Sequence, residues 1–313
     1  MLHALSLACC LVGASVGRQD AQHQDTVIVY SAASLSAPIK VALDTFARRT
    51  GVVVLEEHGG SLELARRITE LKRVPDVIAL ADQEVFTDLL MPAYATWYIR
   101  FARNRMVVAY TNRSRGAAQV NADNWWKVLL RPGVLVGRSD PEIAPAGYRA
   151  LLTYELAESY YKQPGLASRL NARTPPKLMR GNATELAALL EAGELDYVVD
   201  YESLARSRHL RFVPLPPEID LGDARQAPAY ARATVRIKRG KDSVTVAGAP
   251  ILYGISRPVG APHPEWGGRF IAFLLSVDGR AILRRFNVDA LDRPEPVGGR
   301  LPAGIAGSLP PRQ

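Results

Sequence analysis

The 313-residue chain is poor in cysteine, with only Cys9 and Cys10. Both lie in the first apolar run, residues 2–17, which is shorter than the roughly 20 residues that a membrane-spanning helix needs. Polar residues 18–25 follow, a pattern typical of a cleaved export signal, which we predict over residues 1–22, although only His3 and the amino terminus precede the apolar part. Without this segment, the chain has no disulfide and no cysteine-based metal site.

A lipid anchor on Cys9 or Cys10 stays an alternative to simple cleavage. The residues that precede the two cysteines, Ser6–Leu7–Ala8 and Leu7–Ala8–Cys9, match a lipobox poorly. In either case the sequence predicts export, to the periplasm or the extracellular face of the membrane.

The chain also lacks three motifs that mark common enzymes: the GxxxxGK phosphate loop, the GxSxG nucleophile turn and the HExxH zinc pair. His58 and Ser61 lie close together on a short turn, which leaves a hydrolase as a remote alternative. Since the sequence offers these two side chains no evident third partner, it predicts a protein that is not an enzyme and has no cofactor.

Charge of one sign is not concentrated anywhere, although the formal net charge is +8. Lysine and arginine are scattered among acidic residues, so the pattern predicts a solvated basic surface and no nucleic-acid partner. With 48% hydrophobic and 22% charged residues, the chain has the composition of a globular protein large enough for two lobes.

Strands and helices alternate in the first part of the chain. Residues 26–30 are typical of a buried parallel strand, and a turn of small residues that includes Ser34 leads into a helix. The order recurs with a strand over 52–56, a small turn that includes Ser61, and a second helix. Because ligands of such sheets lie outside the carboxyl ends of the strands, both serines fall at one rim suited to an anion. As an alternative, each serine only caps its helix.

A second α/β series follows a polar crossing at residues 111–119, and one of its strands, 195–199, ends at Asp200. Two later strands, 232–239 and 244–247, are also predicted. Apolar residues 249–255 then return to the first lobe, and two crossings make a hinge. We therefore predict an α/β protein whose lobe 1 comprises residues 26–111 and 249–290 and whose lobe 2 comprises residues 112–248. The tail after residue 294 is rich in proline and glycine and is predicted to be disordered to residue 313.

Several segments together resemble the molybdate/tungstate-binding proteins, the ModA/WtpA family, and in particular its WtpA-like branch. The most specific are MPAYATWYIRFARN at 91–104 and SDPEIAPAGYR at 139–149. Other matching segments are YSAASLSAPI at 30–39, GGSLELARRITEL at 59–71, EAGELDYVVDYESLA at 191–205 and GAPILYGISRP at 248–258. They occur in the family's order and cover the chain from residue 26 to about residue 287.

The resemblance implies a type II periplasmic binding protein with a hinge and an interlobe cleft that holds a tetrahedral oxyanion, molybdate or tungstate. It implies contacts from Ser34 and Ser61 in lobe 1, and from backbone amides at Ala146 and Ala183 in lobe 2. It further implies a monomer that delivers the anion to the membrane permease of an ABC importer. A binding protein of the same fold for another oxyanion or a ferric complex is the alternative.

The WtpA-like branch is also associated with two carboxylates that approach the metal atom of the oxyanion. Asp200 falls where the second of them, usually Glu, belongs, whereas Ala144 stands where the first, usually Asp, is found. Either the coordination stays closer to tetrahedral with Asp200 alone near the metal, or Asp140 or Glu142 supplies the missing carboxylate.

Overall fold

The computed structural model describes residues 25–239 and 242–309. The predicted signal segment at 1–22, with Cys9 and Cys10, lies outside these residues. Within the described ranges, no helix has both the length and the apolar character to cross a membrane.

The elements of the described residues alternate along the chain. The first are β1 (Thr26–Ala32), α1 (Ser36–Thr50), β2 (Val53–Gly59), α2 (Ser61–Thr69), β3 (Val77–Leu80), β4 (Trp97–Arg103), β5 (Met106–Tyr110) and α3 (Trp125–Leu129). The next are β6 (Val136–Ser139), α4 (Pro145–Tyr161), α5 (Leu166–Ala172), β7 (Met179–Arg180), α6 (Ala183–Ala192), β8 (Tyr197–Tyr201), α7 (Glu202–Ser207), β9 (Arg211–Pro214) and α8 (Ala227–Tyr230). The last are β10 (Thr234–Arg239), β11 (Asp242–Ala247), β12 (Leu252–Ser256), α9 (Pro264–Leu275), α10 (Val277–Arg285), β13 (Asp289–Gly298) and α11 (Ala303–Ala306).

Lobe 1 is built on a six-stranded sheet with the order β13-β4-β12-β3-β1-β2. Strand β1 pairs in parallel with β2 and β3, and its buried valines and tyrosine belong to the main core. Because β1 and β2 each lead directly into a helical turn, the starts of those turns lie at the same edge of the sheet.

Lobe 2 is built on a five-stranded sheet with the order β7-β6-β8-β5-β9. Strand β6 pairs in parallel with β7 and β8, while β5 pairs antiparallel with β8 and β9. The two-stranded hairpin of β10 and β11 packs beside α4 of this lobe.

The first crossing between the lobes differs from the sequence prediction, which placed residues 26–111 in lobe 1. Strand β5 lies in the sheet of lobe 2, so the chain crosses at Asn104 and Arg105, before this strand rather than after it. The reason is that an apolar strand does not reveal its partners, and β5 is buried by pairing with β8 and β9. The Asn104 N–H donates to the Ile251 carbonyl at 3.1 Å, so the two crossings run side by side.

The predicted disorder of residues 294–313 is wrong for the part of the tail that the structure describes. Strand β13 pairs antiparallel with β4 at the edge of the lobe 1 sheet, and Ile305 of α11 is buried in the core. The sequence misleads because proline is read as a breaker, yet Pro294 and Pro296 lie on an edge strand, where proline is tolerated.

Candidate functional site

A small cavity of about 20 Å³ lies between the lobes. Since one water needs roughly 10–15 Å³, only a small ligand fits this closed arrangement. The residues that line the cavity come from both lobes: Ala32, Ala33, Ser34, Gly59, Gly60, Ser61 and Ala81 from lobe 1, and Ser139, Ala144, Pro145, Ala146, Asn182, Ala183, Asp200 and Tyr201 from lobe 2.

All five ligand residues named from the sequence line this one cavity: Ser34, Ser61, Ala146, Ala183 and Asp200. They meet because each follows or ends a strand whose carboxyl end faces the cleft. Helices α2, α4 and α6 begin at the cavity wall, and the first turn of a helix leaves N–H groups without intrahelical partners. These N–H groups and the positive ends of the three helices favour an anion.

The two serines are not helix caps, which was the alternative interpretation. Neither serine side chain makes a capping bond at the turn that contains Ser34, at the start of α1 or at the start of α2, where Glu63 Oε2 accepts the Gly60 N–H at 3.3 Å. Instead, Ser61 Oγ accepts a hydrogen bond from the Ala81 N–H at 3.0 Å, and Ser34 Oγ lies 3.2 Å from the Tyr253 hydroxyl oxygen. At the start of α6 the side-chain cap comes from Asn182, whose Oδ1 accepts from the Glu185 N–H at 3.0 Å.

Asp200 is fully buried at the cavity and has no cationic partner among the described residues. Its carboxylate accepts hydrogen bonds from the Tyr201 N–H at 2.7 Å and from Ser139 Oγ at 3.3 Å. Burial raises the pKa of Asp200 to about 6, and these two hydrogen bonds offset part of that rise. The site therefore holds a carboxylate that is only weakly acidic.

Asp140 and Glu142 are not among the residues that line the cavity, so the alternative in which one of them supplies the missing carboxylate gains no support from this arrangement. Asp140 Oδ1 instead accepts the Glu142 N–H at 2.8 Å and so closes the turn before α4. The Glu142 carbonyl accepts a hydrogen bond from Arg66 of lobe 1 at 3.4 Å. Asp200 is thus the one carboxylate among the described residues that line the cavity, with Ala144 present as a small apolar wall.

An ion pair behind the cavity joins the lobes. Arg149 of α4 donates to Asp82 Oδ1 at 2.9 Å and to the Ala81 carbonyl at 2.7 Å, both in lobe 1, and to the Tyr201 hydroxyl at 2.7 Å. Arg149 and Asp82 are both buried. The sequence gives no sign that the partner of Arg149 lies in the other lobe.

Other polar groups fit a ligand site less well. His58 contacts Ser31, at 2.7 Å, rather than Ser61, and Ser31 is fully buried.

The described residues contain no group of three or more His, Cys, Asp or Glu side chains that could hold a metal ion. A larger groove of about 770 Å³ lies beside the crossings, but its charges already pair with one another, as Arg105 does with Glu202.

Sequence reasoning missed several residues that shape the cavity. Ser139 and Tyr201 line it, and Tyr253 and Asn104 contact it indirectly through Ser34. Each belongs to a segment that the resemblance included, but only the three-dimensional contacts distinguish these residues from their neighbours.

Comparison with known proteins identifies the family. A family model for bacterial extracellular solute-binding proteins matches residues 27–286. The chain belongs to this family. The matched range ends before β13 and α11 but contains every residue that lines the interlobe cavity, so the site lies within the part of the chain that the family shares.

Individual solute-binding proteins agree with this assignment. An uncharacterized solute-binding protein of Petrotoga mobilis is 40% identical over 274 residues, which cover 87% of this chain and 85% of the relative. The molybdate/tungstate-binding protein WtpA of Pyrococcus abyssi is 32% identical over 333 residues, which cover 97% of this chain and 96% of the relative. The family resemblance seen in the sequence is therefore confirmed.

The solved structures support the fold. The periplasmic molybdate-binding protein of Azotobacter vinelandii matches with a TM-score of 0.57 and 18% identity, over 84% of this chain and 98% of that chain. At this identity the likeness shows the fold alone, and the prediction of a periplasmic binding-protein fold is confirmed.

Proposed function

We propose that this chain is an exported receptor that captures molybdate or tungstate between its lobes and delivers it to an ABC importer, without catalysing a reaction. The observation that carries the proposal is the convergence of the starts of α2, α4 and α6, with Ser34 and Ser61, on one small cavity. The 32% identity to WtpA of Pyrococcus abyssi supports the choice of oxyanion.

The chemistry of the cavity suits a dianion that has no proton. Molybdate and tungstate at neutral pH can only accept hydrogen bonds, and the helix starts and serine hydroxyls supply donors. No lysine or arginine lines the cavity among the described residues, so the anion would be held by neutral dipoles. A nanomolar site needs about 12 kcal/mol, which about half a dozen charge-assisted hydrogen bonds could supply after the cost of closing the lobes.

Asp200 requires a special role in this proposal, because a carboxylate beside a dianion is repulsive. The repulsion is removed if Asp200 bonds to the metal atom or carries a proton, and its raised pKa makes the second state accessible at mildly acidic pH. With Ala144 on the cavity wall in place of a second acid, the oxyanion would have one protein carboxylate near the metal rather than two.

Capture would proceed by lobe closure. The anion would first meet the lobe 1 rim at Ser34 and Ser61, and closure would add the amides at Ala146 and Ala183 together with Asp200. Closure would also form the pair between Arg149 and Asp82 and exclude water, which strengthens each hydrogen bond to the anion. A monomer that presents both lobes to a membrane permease fits this cycle.

Isothermal titration calorimetry of the exported chain, dialysed free of anions, tests the proposal. We expect tight one-to-one binding of tungstate and molybdate, with sulfate weaker by at least about a hundredfold, or roughly 3 kcal/mol. Hydrogen phosphate serves as a protonated control. If neither metal oxyanion releases or takes up heat at any temperature tested, the proposal fails, and tighter binding of another anion would redirect it to that ligand.

A further inference from the structure

The Ser61 side chain is held in the cavity wall by a backbone N–H, a group that can donate a hydrogen bond but cannot accept one. Its Oγ accepts a hydrogen bond from the Ala81 N–H at 3.0 Å, and a backbone N–H has no lone pair to return. The hydroxyl proton of Ser61 is therefore left for a ligand. This serine can donate to an anion without losing its structural hydrogen bond.

The hydroxyl proton of Ser34 is left for a ligand in a similar way, through a longer series of hydrogen bonds between side chains. Asn104 Oδ1 accepts the Arg105 N–H at 2.9 Å, which turns Asn104 Nδ2 toward the Tyr253 hydroxyl at 2.6 Å. The phenol oxygen thus receives one hydrogen bond, which leaves its single proton for a neighbouring acceptor, and Ser34 Oγ lies 3.2 Å away. When the Tyr253 proton lies in this contact, Ser34 accepts from Tyr253 and keeps its own proton for the cavity.

Tyr253 is well placed to impose this direction. It lies on β12, is fully buried, and its ring packs against Phe101 and Tyr201 with centroid distances of 6.2 Å and 6.1 Å. Burial raises the pKa of Tyr253, so the phenol keeps its proton at neutral pH. Asn104, which orients it, also donates to Ser203 Oγ of lobe 2 at 2.7 Å, so the chain of bonds begins at the crossing between the lobes.

We propose that Tyr253, oriented by Asn104, is a specificity-determining positioning residue that makes Ser34 a donor and so selects oxyanions that carry no proton. This inference rests on the proposed function and deepens it. An anion with a proton, such as hydrogen phosphate, would present that proton to an oxygen that already receives one from Tyr253. Because Ser34 keeps its own proton toward the cavity, the proton of such an anion would face the proton of Ser34, and Asp200 would be the one carboxylate left to accept it among the described residues of the cavity wall.

The test compares two anions of equal charge that differ by one proton. At about pH 8, sulfate and hydrogen phosphate both carry two negative charges, and their affinities are measured by competition against bound tungstate. In the Tyr253→Phe variant the ring packing stays and only the hydroxyl is lost. The preference for sulfate over hydrogen phosphate should fall about tenfold, because Ser34 can then rotate and accept the phosphate proton.

Controls separate this role from a structural one. Tyr154→Phe removes another buried tyrosine hydroxyl, outside the cavity, and should leave the preference unchanged. Asn104→Leu should lower the preference in the same direction as Tyr253→Phe. Adding Tyr253→Phe to Ser34→Ala should change the preference no further, since Tyr253 acts through Ser34. Asp200, the one carboxylate on the cavity wall among the described residues, is the same in every variant.

An unchanged preference in Tyr253→Phe would overturn the inference, and so would an equal effect of Tyr253→Phe with and without Ser34. Both results leave the proposed function intact, because tungstate still binds. Failure of the wild-type protein to bind any of the three anions would instead refute the proposed function and this inference with it.

Discussion

Asp82 and Asp200 invite comparison, because each lies at the carboxyl end of a parallel strand and both are fully buried. Asp82, after β3 of lobe 1, pairs with Arg149 of lobe 2 at 2.9 Å. Asp200, on β8 of lobe 2, receives only neutral donors, from Tyr201 and Ser139. The difference teaches that one buried carboxylate is neutralised by a cation of the other lobe, whereas the other lies on the cavity wall without one, as the proposed function requires.

The largest effect, a loss of unfolding free energy, should come from breaking the ion pair between Asp82 and Arg149. Arg149→Met leaves Asp82 buried without its cation, and loss of one partner of a buried ion pair costs about 3–5 kcal/mol of unfolding free energy. Urea denaturation measures this cost, and adding Asp82→Asn should recover much of it. Arg284→Met, at an exposed pair with Asp292, is the control and should cost at most about 1 kcal/mol. An equal, small loss in both variants would show that the pair between the lobes contributes little.

The unpaired carboxylate should make stability depend on pH. The pKa of Asp200 is about 6 in the folded protein against 3.8 for the unperturbed group, so folding disfavours its charged form. This penalty is absent below about pH 4, grows as the pH rises and is complete above about pH 6, where it reaches about 3 kcal/mol. Asp200→Asn should therefore gain stability over the wild type across this range in ligand-free urea denaturation.

A second buried carboxylate, Asp220, also affects stability in this pH range, so the wild type and Asp200→Asn have to be compared by subtraction. Burial also raises the pKa of Asp220 to about 6, so the wild-type curve contains both groups. Subtracting the wild-type free energy of unfolding from that of Asp200→Asn at each pH removes Asp220. A difference that stays constant from pH 4 to pH 7 would contradict the buried, unpaired state of Asp200.

Closure can be blocked without touching either carboxylate. A Cβ added at Gly60 would lie 2.6 Å from the carbonyl oxygen of Ile143 in the facing lobe. Gly60→Ala should therefore weaken tungstate binding about ten- to a hundredfold by calorimetry, with little change in the unfolding free energy of the ligand-free protein. Gly304→Ala, where an added Cβ meets nothing within 4 Å, is the matched control. Unaltered affinity in Gly60→Ala would argue that the lobes need not close this far.

The smallest expected effect concerns the contact of Asp200 with the ligand. Asp200→Ala should weaken tungstate about tenfold more than it weakens sulfate if the carboxylate bonds to the metal atom, since sulfur accepts no such bond. Titration of both anions into wild type and variant measures the ratio. Equal losses for the two anions would assign Asp200 a structural role.

The sequence was sufficient for the parts of the site that local pattern encodes. A strand, a small-residue turn and a helix start place Ser34 and Ser61 at one rim, and the family resemblance added Ala146, Ala183 and Asp200. The structure brings all five to one cavity because parallel strands end at a common edge.

The contacts that the sequence could not supply join residues far apart in the chain. Arg149 and Asp82 are separated by 67 positions, and Ser34 and Tyr253 by 219. Periodicity also gives no register or partner, which is why it places β5 in the wrong lobe and misses the part of β13 after residue 294. The sequence also does not predict the orientation of Asp140. Its carboxylate accepts a hydrogen bond from its own loop, which competes with a ligand for the same oxygen atoms.

The most direct test of the account is a crystal structure of the protein grown with tungstate, with anomalous data collected at a tungsten absorption edge. We expect one strong anomalous peak in the interlobe cavity, with its oxygens in hydrogen-bond contact with Ser34, Ser61 and the amides at Ala146 and Ala183, and with Asp200 beside the metal. A closed cavity without the peak, or a peak only at the outer surface, would contradict the account.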